Sequence, residues 1–151
     1  MNEYSALRPI DELDGTPLAG RVVFDEGAEY SAASDGGYRD LIARQKAMNL
    51  VTEVYRLTET WPRHESFGLT RQVQRAAMSV PSNIAEVKGR RGAREFAHYL
   101  SIAHGSLCEL ETQIEIARRL GYLPPPSVIP LEGHIAEVGQ LIRGLLRRLN
   151  A

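Results

Sequence analysis

Residues 96–117 read FAHYLSIAHGSLCELETQIEIA, and the spacing of their apolar side chains decides the fold class. Phe96, Leu100, Ala103, Leu107, Leu110, Ile114 and Ala117 step by 4-3-4-3-4-3. At about 3.6 residues per turn such a row keeps to one face of an α-helix, whereas a strand needs alternation at every second residue. Gly121 follows as a natural helix cap, and Pro124-Pro125-Pro126 forms a rigid break.

The same rhythm appears on both sides of that segment. Ala43, Ala47, Leu50, Val54, Leu57 and Trp61 step by 4-3-4-3-4, and Pro62 ends the row. Leu69, Val73, Ala76, Val80, Ile84 and Val87 make a second row, with Pro81 inside it. Leu131, Ile135, Val138, Ile142, Leu145 and Leu149 make a fourth. Each row is one apolar seam, and short connections make sequential helices antiparallel. The expected architecture is all-α, an antiparallel up-down four-helix bundle over residues 38–151. Pro81 removes a backbone hydrogen bond, which predicts a kinked second helix with Ser79 or Ser82 available to the freed carbonyl.

Ahead of the bundle lies a different kind of sequence. Residues 1–37 hold eight acidic and two basic residues, a net charge of −6. Residues 38–151 hold 16 basic and 11 acidic residues, a net charge of +5. The first segment has no sustained apolar period, so it reads as an extended acidic arm with one candidate strand at Val22-Val23-Phe24. The arm is either a solubilising tail or a regulator that screens phosphates from a basic surface at low salt.

Composition removes several function classes. At 151 residues the chain suits one domain, and 43% hydrophobic with 25% charged residues excludes a mostly disordered chain. A single cysteine makes no internal disulfide, no apolar run reaches a membrane span, and the N-terminus lacks a signal-peptide pattern. These features fit a cytoplasmic protein that does not use a membrane. No cofactor motif is present. Glu95-x-x-His98 has the spacing of one di-iron ligand pair, but Glu132-Gly133-His134 does not supply the second. Cys108 sits beside the Leu107–Leu110 seam and reads as a packing residue.

Two surplus patterns suggest contacts outside the core. The first helix carries a second apolar row of Leu41, Met48, Val51 and Tyr55, and the third carries Tyr99, Ile102, Ile116 and Leu120. One core needs only about a 100° stripe per helix, so the surplus favours an oligomer interface over a wider core. Lys88, Arg90, Arg91 and Arg94 fall within seven residues at the turn between the second and third helices. Gly89 and Gly92 let phosphates approach that backbone, and Arg71 and Arg75 on the second helix are candidates to extend the patch. Nothing aromatic interleaves the cations, which points to backbone contacts rather than base reading.

Several blocks resemble a known family. They are Trp61-Pro62, Glu65, Gly68-Leu69, Gln72, Arg75-Ala76-Ala77, then Ser79-Val80-Pro81-Ser82-Asn83-Ile84-Ala85-Glu86. Gly89-Arg90, Phe96, Leu100, Ile102-Ala103, Gly105-Ser106-Leu107, Glu109-Leu110-Glu111-Thr112-Gln113 and Leu120-Gly121-Tyr122-Leu123 complete the set. Over about residues 38–150 the chain is similar to the four-helix-bundle proteins encoded in 23S rRNA intervening sequences. That family also includes the accessory variability protein of diversity-generating retroelements. The resemblance implies a ring-like homopentamer without catalytic activity. It also implies association with RNA or DNA, in one branch beside a reverse transcriptase. Two positions depart from the pattern: Val87 replaces the usual Gly after Ala-Glu, and Gln74 replaces one of two paired basic residues.

The family-like polar residues Asn83, Glu86, Glu109, Glu111 and Gln113 suggest a structural hydrogen-bonded network, with Arg75 pairing to Glu109 or Glu111 within or between chains. Arg118, Arg119, Arg143, Arg147 and Arg148 fall in last helical turns, where cations complement the helix dipole. The expected function is a non-enzymatic, homo-oligomeric nucleic-acid-associating bundle, or a scaffold for a nucleic-acid enzyme. The alternative is a protein-interaction scaffold that touches no nucleic acid.

Overall fold

The structure, a computed structural model, describes residues 35–86 and 92–150. Helix α1 spans Asp35–Thr58, α2 Leu69–Glu86, α3 Ala93–Arg119 and α4 Pro125–Leu149, with a 3-10 turn at Arg63–Glu65. Helical conformation therefore starts three residues before the expected Tyr38. The acidic arm and its candidate strand lie outside the described residues.

The seams predicted from spacing are the core. Ala43, Ala47, Leu50 and Val54 on α1 are buried, as are Val73, Ala76, Val80 and Ile84 on α2. On α3 the row from Leu100 to Ala117 is buried, and on α4 the row from Leu131 to Leu145. Leu57, Leu69, Phe96 and Leu149 are the half-buried ends of these rows. Each fully buried Leu, Ile or Val stabilises the fold by about 1.5–3 kcal/mol relative to exposure. Each helix packs on its sequential neighbours and α1 closes against α4, while the diagonal pairs do not meet. That contact pattern is an up-down four-helix bundle.

Helix α2 continues through Pro81. The Ser82 hydroxyl donates to the Met78 carbonyl at 2.8 Å, and the Asn83 amide donates to the Ser79 carbonyl at 2.8 Å. The expected serine bond to the carbonyl freed by Pro81 is not made. A side chain at position i reaches back to i−4, so Ser82 finds Met78 and not Ala77.

One end of the bundle is locked by a corner of aromatic and acidic residues. Gly121 adopts φ 76, and the Gly121 and Tyr122 amides donate to the Arg118 and Ala117 carbonyls. This Schellman cap ends α3 and aims Tyr122 at Trp61, ring centroids 5.7 Å apart. Glu65 Oε1 accepts from the Tyr122 hydroxyl at 3.1 Å, and Oε2 accepts from the Leu69 amide at 2.9 Å. The second bond satisfies an orphan donor at the start of α2. A Cβ at Gly68 would sit 2.8 Å from Glu65 Oε2, so the glycine admits the cap. The Leu69 amide holds the Glu65 carboxyl below the usual carboxylate range; the Tyr122 hydroxyl and His64 add to this, and partial burial opposes it.

Candidate nucleic-acid interface

Of the expected basic surface, the structure describes Arg71, Arg75 and Arg94. Helix α2 ends at Glu86 and α3 begins at Ala93 after an extended Gly92, with no side-chain cap on that helix start. Arg94 is exposed in the first turn of α3. Lys88, Arg90 and Arg91 lie outside the described residues. Arg71 and Arg75 are exposed on α2, but 15 and 11 residues before its end. At about 1.5 Å rise per residue they stand roughly 22 and 17 Å from the loop. The helix therefore does not bring them into the loop cluster. They share a stripe of α2 with Met78 and Ser82 instead, four and three residues apart.

The expected polar residues Asn83, Glu109 and Gln113 fall in two separate groups, one of three residues and one pair. Asn83 Nδ2 donates to Ser79 Oγ at 3.0 Å, and Ser79 and Ser106 share a hydrogen bond of 2.8 Å across the α2–α3 seam. Gln113 Nε2 donates to Glu109 Oε1 at 3.1 Å. Glu86 is exposed in the last turn of α2. Glu111 lies apart, because two positions are about 200° around a helix. It lines a groove with Glu115, Arg119 and Glu132 on the side facing α4. Among the described residues Arg75 pairs with neither Glu109 nor Glu111 within the chain.

The surplus apolar rows flank α2 on both sides. Met48 and Tyr55 on α1 are each 39% exposed, and Met78 on α2 is 48% exposed. The Tyr55 hydroxyl donates to Met78 Sδ at 3.0 Å. On α3, Ile102, Ile116 and Leu120 are 40%, 44% and 54% exposed. Ile102 and Leu120 share the flank of Ser106, which touches α2, while Ile116 lines the groove with Glu115, Arg119 and Glu132. Leu41, Val51 and Tyr99 are half-buried.

The opposite side, around α4, is polar and internally paired. His134 Nδ1 lies 2.6 Å from Glu53 Oε2, and Lys46 Nζ lies 3.0 Å from Glu137 Oε1. These pairs line an open α1–α4 groove with Asn49 and Arg56. Glu115 accepts from Arg118 Nε and Arg119 Nε at 2.7 Å each. The Arg118 hydrogen bonds, then those of Arg119, pull the Glu115 carboxyl down to about 2. Arg118 and Arg119 are thus engaged locally, in keeping with a structural role. The Glu53–His134 pair, 81 positions apart, has no signature in the sequence.

Among the described residues no three His, Cys, Asp or Glu side chains converge as metal ligands, and no helix is long and apolar enough to cross a membrane. Cys108 is exposed, 3.8 Å from His104 Nδ1, rather than packed in the seam. Its position is one residue past Leu107, about 100° from the core direction.

The fold and sequence both have relatives. A protein of unknown function from the S23 ribosomal protein family of Bacteroides thetaiotaomicron has a similar structure, with a TM-score of 0.66 and 18% identity. The match covers 72% of this chain and 98% of that one. No curated protein matches the sequence. The family model described as 23S rRNA-intervening sequence protein matches residues 39–144, most of the chain and nearly all of the bundle. The chain belongs to the 23S rRNA-intervening sequence protein family.

Proposed function

We propose that this protein is a non-enzymatic bundle that assembles with copies of itself, as a homopentamer, and associates with the backbone of RNA or DNA. The association is either direct or made while scaffolding a nucleic-acid enzyme such as a reverse transcriptase. The observation that carries the reading is the α2–α3 corner. There an exposed Arg94 stands in the first turn of a helix with no side-chain cap, just after Lys88, Arg90 and Arg91 in the sequence. Glu95 supplies one carboxylate in that turn, and the four cations around it outnumber it and favour phosphate. Repetition of the corner around an assembly makes a modest charge multivalent.

The contact is electrostatic, so its test is a salt series. RNA binding is measured for the full chain, for a chain lacking residues 1–37, and for a variant with Lys88, Arg90, Arg91 and Arg94 replaced by Gln. The reading expects a log–log salt slope of about −0.7 per phosphate contact for single strands, and a shallower slope for the neutralised variant. It also expects tighter low-salt binding without the acidic arm. Equal binding by all three forms, or none by any, contradicts it. The rival reading is a protein-interaction scaffold. Its support is the far end of the bundle, where Phe67 and Ile129 are 88% and 80% exposed.

A further inference from the structure

The two ends of the α3–α4 seam handle positive charge differently. Where α3 stops, Arg118 and Arg119 both reach back to Glu115, at 2.7 Å each. Where α4 stops, residues 138–150 read VGQLIRGLLRRLN, with three arginines and no Asp or Glu. Arg143 and Arg147 are exposed. Among the described residues neither pairs with a carboxylate, and the partner the structure gives Arg143 is His104 Nε2 at 3.5 Å. Their i, i+4 spacing sets like charges side by side, which destabilises a helix. The helix dipole favours cations in the last turn, where Arg147 lies, and does not account for Arg143. A helix end that holds repelling charges in this way suits an external anion.

The up-down order brings the end of α4 to the end of α2 and the start of α3. Gly139 and Leu107 set the level of the two helices, since a Cβ at Gly139 would lie 3.3 Å from Leu107 Cδ2. From there Arg147 is eight residues on along α4, about 12 Å, and Arg94 is 13 residues back along antiparallel α3, about 20 Å. They differ in height by roughly 8 Å, on helices whose axes pack about 8–10 Å apart. Arg143 stands about 6 Å before Arg147 on α4. It faces α3 through His104, and Arg147 shares that face. Arg94 lies two heptads before Cys108, whose Sγ is 3.8 Å from His104 Nδ1, so all three arginines border one α3–α4 flank. The other end of the same seam is acidic, with Glu111, Glu115 and Glu132 lining a groove.

We propose that Arg143 and Arg147 contact the phosphate backbone of a nucleic-acid strand that runs from the α2–α3 corner along this flank toward the middle of α4. Arginine forks match phosphate oxygens two at a time. A strand carries its charges at a regular spacing of a few ångströms, and a file of cations about 6–8 Å apart keeps step with it. The carboxylates at the far end of the seam repel the strand and so limit its path. The inference rests on the proposed function and enlarges its surface from the corner onto α4, the place that Arg71 and Arg75 do not fill. It does not depend on the number of copies in the assembly.

The test compares two double variants of the full chain, R143Q/R147Q and R118Q/R119Q, in a salt titration against a labelled single-stranded oligouridylate. Each removes two positive charges from the end of a helix, so the change in net charge is matched. R143Q/R147Q is expected to bind on the order of tenfold more weakly at low salt, with a log–log salt slope shallower by about 1.4, from about 0.7 for each of two contacts. R118Q/R119Q is expected to bind as wild type does, because those arginines stand at the opposite end and are held by Glu115. Thermal melting of R143Q/R147Q near the wild-type temperature confirms that the loss is one of contact and not of folding. A wild-type slope for R143Q/R147Q overturns the inference, and weakened binding by the Lys88/Arg90/Arg91/Arg94 variant in the same series then leaves the proposed function standing without it. Equal weakening of the two double variants also overturns it, since net charge alone would then set the affinity. If wild type binds polyglutamate and not the oligouridylate, the surface takes an acidic protein, and the inference and the nucleic-acid reading fall together.

Discussion

The α2 side and the α4 side of this bundle rest on one core and spend their surfaces differently. Around α4, charged side chains meet within the chain: Glu53 with His134, Lys46 with Glu137, and Glu115 with Arg118 and Arg119. Around α2, Met48, Tyr55, Met78 and Ile102 stay substantially exposed, and among the described residues Arg75 and Glu109 meet no opposite charge. Paired charges leave less for a partner to satisfy, although Ile129 at the start of α4 is 80% exposed. A surface that keeps apolar area and unpaired charge is built to be covered. On the proposed reading the same helical periodicity carries two messages, an inner row that folds the chain and an outer row offered to a partner.

The comparison can be broken most severely from inside. Leu110 is fully buried on α3, and one position away Glu109 points outward on the same helix. Leu110→Ala is expected to cost about 2–5 kcal/mol of stability, read by denaturant titration, because a cavity is left in a shared core. Both sides then fail together. A cost below about 1 kcal/mol would show that α3 is less tightly held than its burial indicates.

Next in size is the turn that orients α4. Gly121→Ala forces a side chain into a left-handed conformation at φ 76. The expected cost is about 1–2 kcal/mol, visible as a drop of roughly 2–8 °C in Tm, with assembly unchanged. The Trp61–Tyr122–Glu65 corner is the structure at risk, and loss of tryptophan fluorescence change on melting would report it.

Acid separates the two sides by titration. Glu115 is held at about 2 in the folded chain, against 4.5 for an ordinary glutamate. Its stabilising contribution is fully present above about pH 4.5 and is lost as pH falls toward 2. Glu65, also lowered, contributes with the same sign. Glu115→Gln is expected to lower stability above about pH 4.5, to match wild type near pH 2, and so to flatten the acid limb of the stability curve. A curve identical to wild type between pH 2 and 5 would contradict the pairing.

The smallest effect is expected at the exposed Lys46–Glu137 pair. Lys46→Ala should change stability by no more than about 0.5–1 kcal/mol and leave assembly intact, since exposed ion pairs contribute little.

The fold was almost wholly legible from spacing. Leu100, Leu110, Ile135 and Ile142 were placed in the core by a rule that needs no tertiary knowledge, because helical period fixes which residues share a face. The exposed apolar surface was legible only in part. The rows of α1 and α3 could be read as surplus, but that both flank α2 depends on Ser79 meeting Ser106 and Tyr55 meeting Met78. Arg71 and Arg75 stand 15 and 11 residues before the end of α2, because closeness in sequence along a helix becomes distance along an axis. Glu111 was grouped with Glu109 and Gln113 by adjacency, although helical geometry turns it toward α4. Glu53 and His134 were invisible, since a long-range polar pair leaves no local pattern.

The most direct test of the two-sided account is the solution mass of the full chain beside two variants at exposed positions, Met78→Glu on α2 and Gln140→Glu on α4. The account predicts an assembled mass for wild type and for Gln140→Glu, and a single-chain mass for Met78→Glu at the same concentration. An assembly that survives Met78→Glu and falls apart with Gln140→Glu would contradict it.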